Sequence, residues 1–172
     1  AIETSVDTLS LSIGAGGAYV SEASALTLSS ASVGGAFNLS TGGALSVTSA
    51  QVTGNANLSA AGNTSVTALS ATGNVSLSIT GNATLTSVQS AAALSAQASG
   101  NATLGSITAS GAASFNVSGA ITDGHSEDAA NTDGLDISAT TLSITAASLG
   151  TSSDAIETSV DTLSLSIGAG GA

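Results

Sequence analysis

Small residues recur along this 172-residue chain at a fixed spacing of 19. One series runs Gly16, Gly35, Gly54, Gly73, Ala92 and Gly111, and a second, offset by eight residues, runs Ser24, Gly43, Gly62, Gly81, Gly100 and Gly119. A period of this length marks stacked supersecondary units, each too small to bury a core alone and each completed by its neighbours. Apolar residues keep the same period. They fall in pairs two residues apart, as Phe37 and Leu39, Leu45 and Val47, and Ala50 and Val52 in one period, and as Val75 and Leu77, then Ala83 and Leu85, in a later one.

A spacing of two is the strand period, and the residues between the apolar ones are Ser, Thr, Asn or Gln, which suits an outward face. Each 19-residue period therefore predicts three short strands and three corners. Gly and Gly-Asn stand at two of the corners, where a positive φ suits Gly and is tolerated by Asn. Stacking such coils pairs each strand in parallel with those before and after it. The expected fold is all-β, a right-handed parallel β-helix (β-solenoid) of triangular section with coils of about 19 residues and three short strands per coil. A helix would need apolar residues three and four apart, and the Gly and β-branched content disfavours it.

A longer repeat overlies the short one, because residues 155–172 (AIETSVDTLSLSIGAGGA) are identical to residues 1–18. Residues 1–154 read as one full tandem unit of about eight coils, and residues 155–172 as the start of the next, continuous with the same solenoid. Eight coils at about 4.8 Å give an axial repeat of about 38 Å. An acidic loop insertion at about 121–134, within ITDGHSEDAANTDG, is expected to replace the third strand of its coil.

Composition narrows function. There is no Lys or Arg against 11 Asp and Glu, so a nucleic-acid partner would meet no counter-charge. With one His and no Cys, the usual parts of a catalytic site are missing and no enzyme activity is expected. An apolar fraction of 42% with 6% charged residues argues against disorder, and no apolar run is long enough for a membrane span.

The acidic segment holds the chemistry that remains. Asp123, Glu127, Asp128, Asp133 and Asp136 are candidate calcium ligands, since that cation takes six to eight oxygens. Their spacing matches neither an EF-hand nor the GGxGxD pattern, so a solvated loop without a cofactor is the plainer expectation, with His125 as a surface residue. Seven Asn lie in N-x-S/T sequons and are candidate glycosylation sites: Asn38, Asn57, Asn63, Asn74, Asn82, Asn101 and Asn116. A Gly-Asn corner followed by an alternating Ser/Thr strand also creates such sequons without modification. Outward Thr and Ser in the second strands, Thr27, Ser46, Ser65 and Thr84 among them, read as a generic polar wall.

Segments such as GNATLTS, GGAFNLSTGGALSVTS, SGAITDG and LGTSSDAIETSVDTLSL resemble the repeats of filamentous haemagglutinin and related giant secreted bacterial adhesins and exoproteins. The resemblance implies a right-handed parallel β-helix in a long fibre at the bacterial cell surface, exported and in many members adhesive. It implies as partners the neighbouring identical repeats of the same chain, lateral or end-to-end self-association, and a host or neighbouring cell surface. A self-assembling structural filament or sheath without a receptor is the alternative.

Overall fold

A computed structural model describes residues 1–125 and 134–169, and among these every regular element is a β-strand. The strands form one parallel sheet that winds into a right-handed β-solenoid of about eight turns. Its first face is built from Ile2–Thr4, Ala18–Glu22, Phe37–Thr41, Ala56–Ala60, Val75–Ile79, Leu94–Ala98 and Ala112–Val117. The second and third faces are three-residue strands such as Leu45–Val47 and Ala50–Val52. In three coils they merge into one eight-residue strand: Leu26–Val33, Ala83–Ser90 and Ala102–Ala109.

Register follows the sequence period. Val75 pairs with Ala56 and with Leu94, and Leu85 with Val66 and Leu104, each step being 19 residues. Backbone hydrogen bonds join coil to coil at the corners as well as in the strands, as from Phe37 N to Asn55 O at 2.8 Å and Leu45 N to Asn63 O at 3.0 Å. Each inner coil is thus held by the one before and the one after, which satisfies backbone groups that a single coil would leave open.

The core is a shaft of small and medium side chains. In one coil Phe37, Leu39, Thr41, Leu45, Val47, Ala50 and Val52 all point inward, none more than 3% exposed. The sequence pairs anticipate six of these seven positions. The remaining one, the third inward place of the first face, is filled by Glu22, Thr41, Ala60, Ile79, Ala98 and Val117 in successive coils, all buried. Its polar members find partners, Thr41 Oγ1 donating to Gly43 O at 3.0 Å. Bulk is balanced around the ring of Phe37, which stacks between Ala18 and Ala56 and occupies room left by two alanines.

Two features differ from the sequence reading. The acidic insertion does not replace a third strand. It enters between the second strand of its coil, Ala120–Asp123, and the third, whose residues Ile137 and Ser138 pair with Ile107 and Thr108. The corner glycines, moreover, owe little to positive φ, which among the described glycines occurs at Gly54, Gly134 and Gly150. Stacking sets the requirement instead. A Cβ on Gly81 would stand 2.6 Å from Asn63 Oδ1 and 2.8 Å from Asn63 N in the preceding coil.

The duplicated segment does not occupy one phase of the helix. In the first copy Ile2–Thr4 pairs with Val20–Glu22 on the first face, Thr8 and Leu9 with Thr27 and Leu28 on the second, and Leu11–Ile13 with Ala31–Val33 on the third. In the second copy Thr158–Val160 pairs with Ile137–Ala139 on the third face, and Thr162–Ile167 runs along Thr141–Ala146 on the first.

Candidate functional site

The densest chemistry among the described residues lies where the chain leaves and re-enters the solenoid at the insertion. Ala120–Asp123 continues the second face, and Asp123 pairs with Leu104, so its side chain takes the inward place that Leu28, Val47, Val66, Leu85 and Leu104 fill in earlier coils. A carboxylate thus ends an apolar column, 7% exposed. Asp136 immediately precedes the third-face strand and is 0% exposed. Its carbonyl accepts Ile107 N at 2.7 Å, and its own N–H donates to Glu157 O at 3.1 Å, which pins the residue between two coils.

His125 bridges the two acids. Its Nδ1 lies 2.9 Å from Asp136 Oδ1 and 3.4 Å from Asp123 Oδ1, and its backbone N–H donates to Asp123 Oδ1 at 2.8 Å. Glu157 N donates to Asp136 Oδ2 at 2.9 Å. With its side chain 30% exposed, His125 is a half-buried member of the cluster rather than the surface residue that its acidic sequence context suggests. Burial raises the Asp136 carboxyl to about 7, and its hydrogen bond with Asp123 acts in the same direction, while His125 and the Glu157 N–H oppose it. A chain without Lys or Arg has no fixed cation to set beside this buried carboxyl, which is why burial raises it.

Of the candidate calcium ligands, the structure brings Asp123 and Asp136 together; Glu127, Asp128 and Asp133 lie outside the described residues. The described donors are two carboxylates and an imidazole nitrogen, one atom from each falling within 4.8 Å of the others. Within that set the Asp136 carboxyl is raised to about 7. As a calcium shell the set offers oxygen from only two side chains.

The sequon asparagines divide into two structural groups. At the corners, Asn63 Oδ1 accepts Asn82 N at 2.9 Å, Asn74 Oδ1 accepts Ala93 N at 3.0 Å, Asn82 Oδ1 accepts Asn101 N at 2.8 Å, and Asn101 Oδ1 accepts Ala120 N at 3.0 Å. On the first face, Asn57 Nδ2 donates to Asn38 Oδ1 at 2.8 Å, and Asn116 is exposed. Each corner carboxamide thus ties one coil to the next, a role that follows from the Gly-Asn spacing. A shallow groove crosses the outer first face beside Tyr19, Asn38 and Asn57, with Tyr19 56% exposed. Its one sequence signal is an aromatic at an outward position.

Among the described residues no helix is long and apolar enough to cross a membrane. No protein-family model, no curated protein and no solved structure matches the chain.

Proposed function

We propose that this chain is a repeated segment of a long extracellular fibre at a bacterial cell surface, a non-enzymatic stalk that carries adhesive function at a distance from the cell. The observation that carries the reading is the exact recurrence of residues 1–18 as residues 155–172, in which Thr158–Ile167 adds a further layer to the same parallel stack. Repetition of a stacking unit produces length, and length with a sealed apolar shaft suits a stalk. The resemblance to filamentous haemagglutinin-like repeats supports the adhesive part. Electron microscopy of chains carrying several units tests it: thin filaments that lengthen by about 38 Å per unit are expected, and compact particles would overturn the proposal.

A second reading, a self-assembling filament or sheath with no receptor, draws on the outer faces, where among the described residues Ser, Thr, Asn and Gln ladders surround shallow grooves. Beads coated with the fibre distinguish the two. Saturable attachment to cells supports the adhesin, and attachment no greater than that of uncoated beads supports the sheath.

A further inference from the structure

A buried carboxylate is paired with a cation, bound to a metal ion or held neutral by a proton. The side chains of Asp123 and Asp136 are both 0% exposed, and the chain has no Lys or Arg to set against either. His125 can offset one negative charge of the two. Asp123 adds an independent sign of a ligand. Its inward place belongs to a column filled by Leu28, Val47, Val66, Leu85 and Leu104 in the coils before it, so a carboxylate here forgoes apolar burial in exchange for a donor atom aimed at the other two.

We propose that Asp123, His125 and Asp136 hold a divalent transition-metal ion of the zinc class, which ties the departing and returning ends of the insertion to the solenoid. The spacing of the donors suits such an ion. Bonds of about 2.0–2.1 Å in a tetrahedral arrangement set ligand atoms about 3.3 Å apart. His125 Nδ1 stands 3.4 Å from Asp123 Oδ1 and 2.9 Å from Asp136 Oδ1, and one donor atom from each residue falls within 4.8 Å of the others. An ion between them replaces the contact of imidazole with carboxylate and answers both buried acids at once.

The three side chains are also held from behind. Glu157 N–H donates to Asp136 Oδ2 at 2.9 Å, on the far side of the carboxylate from His125, and His125 N–H donates to Asp123 Oδ1 at 2.8 Å. The imidazole lies against the returning backbone, where a β-carbon on Gly134 would stand 3.8–3.9 Å from three of its ring atoms. Contacts of this kind orient metal-binding side chains before the ion arrives. Ligand type then selects the ion. Imidazole with carboxylates suits zinc and its first-row neighbours, whereas calcium takes six to eight oxygens. Three protein ligands leave a fourth position to water. Because Asp123 and His125 stand where the chain leaves the second face and Asp136 where it enters the third, the ion closes the insertion as a clip closes a loop.

The test uses the whole 172-residue chain, stripped of metal with a chelator and titrated with Zn²⁺ at about pH 7.5 in millimolar Mg²⁺, which occupies exposed carboxylates. Calorimetry should give one Zn²⁺ per chain, and the melting temperature should rise with the logarithm of free Zn²⁺. His125 is the only histidine, so its ring resonances report on the unaltered chain and should shift in step with that one equivalent. His125→Ala, at a half-exposed position, and Asp136→Asn should each weaken the binding by at least about 100-fold, the upper end of what losing an outer partner alone costs. No stoichiometric binding would show that protons alone neutralise the buried acids and would overturn the proposal. Zn²⁺ uptake that leaves the His125 resonances unmoved, or that His125→Ala leaves unchanged, would overturn it equally, and so would displacement of Zn²⁺ by an equal concentration of Ca²⁺.

Discussion

Replacing Leu77 with Asp tests the alternation on which the fold depends. Leu77 is 1% exposed and is stacked between Leu58 and Ala96, with Val75 and Ile79 on the same inward row. Loss of the leucine costs about 2–5 kcal/mol in transfer and cavity terms. Nothing in that row can pair a carboxylate, so the new Asp folds neutral, and protonating it at pH 7 against a reference near 3.9 costs about 4 kcal/mol more. The total, about 6–9 kcal/mol, rivals the stability of a typical domain. Ser76→Asp, one residue away on the exposed outer row, should cost less than about 1 kcal/mol. Circular-dichroism melts of both variants and the parent at pH 4 and pH 7 make the comparison. The introduced Asp has a raised folded pKa, so its protonation cost is absent below the unfolded value and grows as pH rises. The Leu77→Asp deficit relative to the parent should therefore shrink by about 4 kcal/mol at pH 4. Equal destabilisation by the two substitutions, or a Leu77→Asp deficit independent of pH, would refute the inward placement.

Gly81→Ala should lower stability by about 1–3 kcal/mol, because its Cβ meets Asn63 of the preceding coil, while Gly14→Ala, with open space around it, should change the melt little. The raised Asp136 carboxyl predicts stability that is highest below pH 4 and falls as pH rises towards about 7; Asp136→Asn should flatten that slope in urea titrations run across the range. Glu22 behaves oppositely. Hydrogen bonds from Val6 N, Thr4 Oγ1 and Ser24 lower its pKa to about 2, so its contribution is present above about pH 4.5 and is lost as pH falls towards 2, a loss that Glu22→Gln should remove. Trypsin should leave the chain uncut even when boiled, for want of Lys and Arg. Thermolysin should degrade boiled chain far faster than native chain, and equal rates would contradict a packed solenoid.

The architecture was legible because two periods coincide in the sequence. Alternation in steps of two marks the strands, and recurrence at 19 fixes which residues stack, so pairs such as Leu58 with Leu77 and Val66 with Leu85 follow before any coordinates. The third inward row of the first face was hidden because Glu22 and Thr41 occupy it, and a polar residue in an alternating strand reads as outward. The corner glycines were correctly located but for the wrong cause, since the contact that excludes a side chain at Gly81 comes from Asn63, a coil away in the fold. At the candidate site, Asp123 and Asp136 were visible as acids, whereas their union around His125 depends on how the chain re-enters the stack at residue 136. The change of face between the copies of the duplicated segment has no sequence signature, because the copies are identical.

The direction of the hydrogen bonds has a mechanical consequence. Strands run around the solenoid, so the bonds between coils, Phe37 N to Asn55 O among them, point along the axis that a tethered load would pull. Tension therefore opens them one row at a time instead of shearing many together. Each coil that peels away replaces about 4.8 Å of rod with up to about 65 Å of extended chain, a lengthening of more than tenfold. A rod built this way would yield coil by coil at low force when pulled along its axis.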